Sequence, residues 1–424
     1  MRQWVAGVLG LMMLATPSAA QELRGHGGPV RAVAISPDGM LAVSGSFDTS
    51  AIVWGLAHGT ALAVLRHHEA SVNAVIALPD GRFATGGEDG KVALWRPGQP
   101  TPEREVAGTE APVGGLAVSR DGQSLAVAGW DGRVQVHPLG GGSPRVLTGH
   151  QGPVSSVAFA SDGAGLITAG HDGTLRFWPA GSGPERVVRM PTPVNAVAVG
   201  PDGSIAIGSA DGQVRLLAPD GTLRHEVEAQ PTPIVALALS PDGRTVAAAG
   251  LRGAVMVIDS VTGATRARMT GPGLPVWSLA FTPDGSQIIT GGGDRLLRRW
   301  EVATGRPIGP ISRPQADTVA ADADPRGAEV FRACVACHTL TADDGNRAGP
   351  TLHGVFGRRI ATAPGYQFSD ALRGMDIVWT AETISRLFEI GPTAYTPGTK
   401  MPEQVITDPE DRAALIRFLD RTTR

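Results

Sequence analysis

The sequence predicts a multidomain chain: an all-β propeller of seven four-stranded blades, then a small all-α domain. Three observations carry that prediction. A valine or isoleucine that opens a short apolar strand recurs seven times, about every 41 residues. Each recurrence runs into an Asp-Gly turn. Near residue 311 the recurrence stops, and helical signals resume around the only two cysteines in the chain, Cys334 and Cys337. A length of 424 residues allows two or three domains. With 42% apolar residues, 57 Gly and 33 Pro, the composition is that of a turn-rich globular protein.

Residues 1–20 read as a secretory signal. Arg2 gives a positive start, Val5 to Ala15 form an apolar core, and Pro17 breaks it before the small residues Ser18 and Ala20. Cleavage after Ala20 leaves a mature chain beginning at Gln21. The apolar run is shorter than the roughly 20 residues that span a bilayer, and no later stretch could cross one. The expected localisation is periplasmic, with no membrane span after signal removal. A formal charge of −3 leaves no electrostatic footprint for nucleic acid.

Residues 21–310 hold the repeats. Their strands open at Val30, Val72, Val113, Val154, Val194, Ile234 and Val276. The turns that follow include Pro37-Asp38-Gly39, Pro79-Asp80-Gly81, Pro201-Asp202-Gly203, Pro241-Asp242-Gly243 and Pro283-Asp284-Gly285. Repeats three and four have Arg120 and Ser161 in place of the proline. Asp bonds its own backbone in such a turn, and Gly accepts the positive φ that closes it. A second strand, a Gly-x-Asp type of turn and a third strand complete each unit.

In four repeats a Trp closes the third strand six residues after the turn Asp: Asp48 and Trp54, Asp89 and Trp95, Asp172 and Trp178, Asp294 and Trp300. Three repeats carry an upstream His, at His26, His68 and His150. These residues resemble the WD-repeat family. The resemblance implies a buried chain from His through a Ser or Thr to the Asp and the Trp indole, with Ser44, Thr85 and Thr168 in the middle. Repeats three, five and six depart, with His137, Leu217 and Ile258 at the Trp position and Arg252 replacing the Asp of repeat six. Ring closure is expected from Glu22–Arg24 as the outer strand of the last blade, with 306–311 competing for that place. His67-His68-Glu69 looks like a metal cluster in isolation, but His68 falls in register with His26 and His150 and reads as a repeat-start residue. No phosphate-loop lysine, His-Glu-x-x-His or nucleophile elbow occurs in the propeller, which reads as a scaffold.

Residues 311–323, rich in Ala, Asp, Pro and Thr, read as a linker. Asp324-Pro325 then gives an N-cap and first helical position. The helix leads into Cys334-Val335-Ala336-Cys337-His338, the attachment signature of haem c. Two sulfurs reach the haem as thioethers, and the adjacent His338 becomes the proximal iron ligand. A zinc site would need further thiolates, and the chain has none. A redox dithiol would sit at a strand-helix junction that the flanking pattern does not provide.

The segments Gly349-Pro350-Thr351-Leu352-His353-Gly354-Val355-Phe356-Gly357-Arg358 and Pro397-Gly398-Thr399-Lys400-Met401-Pro402 make residues 324–424 similar to the small soluble cytochromes c of bacteria and mitochondria. The resemblance implies one covalent haem c on Cys334 and Cys337, with His338 and Met401 as the iron ligands. It also implies a Pro350 carbonyl that accepts the His338 N–H, Arg358 and Trp379 near the haem propionates, and Thr399 among the haem contacts. Met375 lacks the Pro-Gly-Thr-Lys frame, and the place of His353 favours a structural role. The family's Gly-Phe-Ser-Tyr is replaced by Gly365-Tyr366-Gln367-Phe368, and another family Tyr by Leu387 or Phe388, so hydroxyls near the haem are lost. Asp408-Pro409 starts a last helix whose Ala414, Leu415, Phe418 and Leu419 form a packing stripe. Arg332, Arg347, Arg358, Arg359 and Lys400 are a candidate basic rim for an acidic partner.

The expected function is one-electron transfer through an edge-exposed His338/Met401 haem, with redox partners at the haem edge and a further protein partner on the propeller. Two rivals stay open. One is an oxidoreductase whose propeller holds a substrate and whose haem drains the electrons. The other is a scaffold whose haem senses redox state or a gas.

Overall fold

Each residue that opens a repeat begins the first strand of a four-stranded antiparallel sheet, and seven such sheets make up the first domain. The computed structural model describes residues 22–308 and 324–424, apart from 107, 164, 182, 272, 343 and 344. The signal segment 1–20 and the linker 311–323 lie outside the described residues. The seven first strands are Val30–Ile35, Val72–Ala77, Val113–Val118, Val154–Phe159, Val194–Val199, Ile234–Leu239 and Val276–Phe281. They pack blade against blade around the axis, each on the first strand of the next.

A register shift directly follows the opening residue in all seven blades, as between Val30 and Ala32 or Val276 and Ser278. Such bulges add twist, which a blade needs to fan away from the axis. The seven Asp-Gly turns form as the residues require: their glycines have φ between +69° and +84°. In the first turn Asp38 accepts from the Met40 amide at 2.9 Å.

The polar chains of blades one, two and four are complete. Trp54 Nε1 donates to Ser44 Oγ at 2.7 Å, Ser44 meets His26 Nε2 at 2.7 Å, and His26 Nδ1 meets Asp48 at 3.0 Å. Trp95, Thr85, His68 and Asp89 repeat this at 2.9, 2.8 and 3.0 Å. So do Trp178, Thr168, His150 and Asp172, at 2.9, 2.7 and 3.1 Å. Every member has a partner, the condition under which a buried polar network stabilises. In blade seven Trp300 donates to Thr290 at 2.9 Å, and Arg298 reaches Asp294 at 2.8 Å. His137, Leu217 and Ile258 are all buried where tryptophan is missing; Leu217 and Ile258 join apolar clusters, and blade five keeps a buried Arg215 that pairs with Asp211 at 2.7 Å.

Blade seven is closed from both ends of the domain. Glu22–Arg24 pairs with Leu296–Arg298. The segment after the last strand continues the same edge: Trp300 bridges Pro307, and the Ile308 amide donates to Arg299 O at 3.0 Å. The two sequence candidates for closure therefore share one strand, each pairing with a different half of it.

The second domain has helices α1 (Pro325–Phe331), α2 (Asp370–Arg373), α3 (Ala381–Ile390), α4 (Pro392–Tyr395) and α5 (Pro409–Thr422). Asp324 caps α1 by accepting from the Gly327 amide at 2.9 Å, with Pro325 in the first turn. The stripe Ala414, Leu415, Phe418 and Leu419 is buried, and α5 crosses α1 with the Phe331 and Phe418 rings 5.3 Å apart.

The carboxyls of Asp89 and Asp172 are held down near about 2. Burial opposes their charge, but it is outweighed by hydrogen bonds from His68 and the Glu69 amide to Asp89, and from the Gln151 amide, Thr174 and His150 to Asp172. The folded value lies below the ordinary 3.8. This contribution is therefore full above about pH 4 and is lost as pH falls towards 2. Thermal melts between pH 7 and pH 2 should show Asp89→Asn and Asp172→Asn less stable than the parent at neutral pH, with the gap narrowing at the acid end. A gap independent of pH would contradict this account. Thr85→Val or Thr168→Val, which strips the middle hydroxyl, should cost about 1–3 kcal/mol.

Candidate functional site

The backbone turns on past α1 in a tight coil. Cys334 N bonds Phe331 O at 2.8 Å, and the Cys337 and His338 amides both bond Cys334 O at 3.0 Å. This coil carries both sulfurs and the imidazole into one cavity of about 900 Å³. His338 Nδ1 donates to Pro350 O at 2.7 Å, which leaves the Nε2 lone pair for a metal. Burial holds this imidazole below its ordinary pKa, so it is neutral. The ring fits there only because residue 349 is glycine: a Cβ at Gly349 would lie 2.4 Å from His338 Cε1. The Gly349 amide in turn bonds Cys337 O at 2.7 Å, tying the two segments together.

All eight residues singled out in the sequence line this cavity: Cys334, Cys337, His338, Pro350, Arg358, Trp379, Thr399 and Met401. The Met401 amide donates to Thr399 Oγ1 at 3.1 Å, which sets the distal loop. Arg358 spends its two Nη groups on the carbonyls of His353 (2.9 Å) and Thr351 (2.7 Å). Its backbone pairs with that of Trp379, whose amide donates to Arg358 O at 2.9 Å. Phe331, Leu387, Phe388 and Leu415 supply apolar wall, and Phe368 lines the cavity without a hydroxyl. The Tyr366 hydroxyl points elsewhere, donating to Ala348 O at 2.6 Å, and burial pushes that phenol up to about 12. Met375 and His353 are not part of the lining.

The donor set fits haem c. Burial pushes the Cys334 thiol up to about 12 and also raises Cys337, so the setting suits uncharged thioether sulfurs better than thiolates. An imidazole with a fixed tautomer and a methionine thioether share the same cleft. Its volume is in the usual range for ligand sites, about 300–1,000 Å³.

Sequence reasoning missed part of the wall. Gly27, Gly28, Phe47, Asp48, Arg66 and His67 of the propeller also line the cavity. They sit on connections at one end of blades one and two: before the first strand, between the second and third, and after the outer strand. The Asp-Gly turns join first to second strands and lie at the other end. Three contacts make the seam. The Ala348 amide donates to Gly25 O at 2.8 Å, the Lys400 ammonium donates to His68 O, and the Arg66 guanidinium lies 5.2 Å from the centre of the Tyr366 ring. At Gly27 an added Cβ would stand 2.3 Å from the Cys337 sulfur. The sequence marks Asp48 and His67 only for the propeller itself, and nothing in it marks Gly27, Gly28, Phe47 or Arg66 for this cavity.

The candidate basic rim is largely spent inside the molecule. Arg347 bonds Val335 O and Arg358 the two carbonyls above, while Lys400 is drawn to the propeller. Arg332 pairs with Glu329 at 2.7 Å and Arg359 with Asp376 at 3.5 Å.

Comparison with known proteins agrees with this two-part organisation. The family model "WD domain, G-beta repeat" matches residues 18–55, 59–96, 100–137, 141–179, 185–216 and 263–301, passing over the sixth blade, where Arg252 and Ile258 depart most from the pattern. The family model "Cytochrome c" matches residues 325–423. A cytochrome c of Cochliobolus lunatus is 42% identical over 100 residues, which are 23% of this chain and 92% of that protein. One from Arabidopsis thaliana is also 42% identical, over 23% of this chain and 88% of that protein. One from Stellaria longipes is 39% identical, over 23% and 92%.

Gly349→Ala should displace the His338 ring. The expected result is a lower yield of covalently loaded protein and a shift of the visible spectrum from low spin towards high spin. Pro350→Ala keeps the accepting carbonyl and should leave the spin state nearly unchanged. If Gly349→Ala gives the parent's yield and spectrum, the close approach does not control the ligand.

Proposed function

The chain belongs to the WD-repeat family across its propeller and to the cytochrome c family over residues 325–423, and from that premise we propose that it is an exported electron carrier. It passes single electrons through one haem c, and its propeller is the platform that docks a protein partner. The observation that carries this reading is the convergence of Cys334, Cys337, His338 and Met401 on one cavity.

The haem, attached through Cys334 and Cys337, supplies one-electron iron chemistry between the ferric and ferrous states. The residues of the chain set the conditions. Pro350 O holds the proton on His338 Nδ1, so Nε2 is the ligand atom. Met401 would offer the iron a thioether, which would favour the ferrous state, and Thr399 fixes its loop by accepting from the Met401 amide. Arg358 and Trp379 stand on paired backbone in the cavity wall, where the family resemblance would set them toward the haem carboxylates. Phe331, Leu387, Phe388 and Leu415 keep water from the cleft.

Among the described residues no helix is long and apolar enough to cross a membrane. The signal-like residues 1–20, a positive start, an apolar core and small residues at Ser18 and Ala20, support a periplasmic location. An oxidoreductase whose propeller holds the substrate and whose haem drains the electrons, and a scaffold whose haem senses redox state or a gas, are the rival readings; the sensor requires Met401 to leave the iron readily.

Optical spectra of the purified, periplasmically matured protein test the proposal. A low-spin form in both oxidation states that ignores carbon monoxide is expected, with a mature N-terminus at Gln21. Met401→Ala should open the distal position and allow carbon monoxide to bind. Ready binding by the parent protein would instead favour catalysis or sensing.

A further inference from the structure

Arg66 follows directly on the outer strand Thr60–Leu65 of blade one, and its side chain enters the cavity that holds Cys337 and His338. Its guanidinium stacks over the Tyr366 ring, yet Nε and Nη1 are buried without a hydrogen-bond partner. Arg66 is half-buried, and leaving two of its guanidinium nitrogens buried with free donors is costly unless an anion meets them. Its surroundings supply little that is negative. Arg347 and Arg358 act on His338 with the same sign as Arg66, burial and Arg66 push the Lys400 ammonium down, Tyr366 stays protonated, Asp48 is engaged by His26, Ser50 and the Gly27 amide, and Glu69 pairs with Lys91 at 3.0 Å. Haem, however, carries two carboxylates.

We propose that Arg66 of the propeller is a haem-contact residue whose guanidinium takes a haem carboxylate, so that both domains together close the cofactor site. The inference rests on the haem c reading above and adds a residue from some 270 positions before the attachment motif. Arg66 does what the neighbouring cytochrome residues leave undone. Phe368 has no hydroxyl, the Tyr366 hydroxyl is committed to Ala348 O, and both Arg358 Nη groups are bonded to backbone. Gly27 makes this approach available, because only a residue without a side chain lets the propeller come up against Cys337.

A cation held at the haem opposes the ferric state, whose charge is one unit more positive, so Arg66 raises the reduction potential. The test uses the matured holoprotein with Arg66→Met, Arg66→Lys, Gly27→Val and a remote control, Arg189→Gln, on the exposed outer strand of blade four. Covalent haem per chain is measured first, then the midpoint potential. Hydrogen exchange of the Ala348 amide, which is bonded to Gly25 O, reports whether the domains stay docked. Arg66→Met should keep its haem and its protected Ala348 amide, while the ferric-to-ferrous ratio at the parent midpoint rises on the order of tenfold. Arg66→Lys should recover most of that change, and the control should not move.

A parent-like potential in fully loaded, docked Arg66→Met overturns the proposal. So does a change that appears only with loss of Ala348 protection and equals that of Gly27→Val, since Arg66 would then act only on docking. If Arg66→Met cannot be matured, Arg66→Lys against Arg66→Gln decides, the proposal requiring a higher potential for lysine. Absence of covalent haem from the parent protein would instead sink the haem c reading itself.

Discussion

The Ala348 amide donates to the carbonyl of Gly25, and neither end of that bond is free to move. Gly25 follows Glu22–Arg24, the strand that closes blade seven, and precedes His26, which starts the buried chain through Ser44 to Trp54. Ala348 precedes Gly349 and Pro350, the residues that seat the His338 imidazole and accept its proton. A few residues at the start of the propeller thus close the ring, anchor blade one and receive the cytochrome. One such bond contributes only about 0.5–1.5 kcal/mol net. Its weight lies in position, since any slippage there would be felt at ring closure and at the iron ligand together.

The same seam sets propeller residues along one side of the cytochrome cavity. The Cys337 flank is faced by Gly27 and Asp48, and the distal loop is tethered by Lys400 to the His68 carbonyl. The propeller takes up part of the surface on which a partner would otherwise dock. It replaces water there with backbone, a guanidinium and a satisfied His26–Asp48 pair. Exclusion of water strengthens each charge effect in the cleft, and residues of blade one and of the blade one to two connection line it together with those of the cytochrome.

The parts written in local chemistry were legible from the sequence. The spacing of Val30 through Val276 placed all seven first strands to the residue, and the Asp-Gly turns closed as their φ requirements demand. The His, Ser or Thr, Asp and Trp of blades one, two and four fell into their chains. The residues picked for the haem all face one cavity. Thr290 was missed as the partner of Trp300, because blade seven lacks a visible His to announce the chain. Closure was half legible: two short segments competed for one edge, and nothing local shows that each pairs with only half of it. Arg66, Gly27 and Lys400 were illegible as a group. Their meaning depends on how the propeller and the cytochrome domain meet, and no periodicity or turn rule spans that distance.

Topology then limits where a further partner can sit. The cytochrome occupies the end of the propeller formed by the connections before Val30, between the second and third strands of blade one, and after Leu65. The Asp-Gly turns of every blade lie at the opposite end. Their carboxylates are engaged locally, by backbone amides two or three residues on and by nearby hydroxyls or, at Asp80, the Arg82 guanidinium. They are fixed negative groups that need no partner to be stable. A protein that binds this far end leaves the haem seam intact. One that binds at the cytochrome end must either contact both domains at once or displace Lys400 from His68, and displacement would loosen the distal loop beside Met401. The two faces thus differ in kind: the far end can hold a partner in place, whereas the near end can change the haem as it does so.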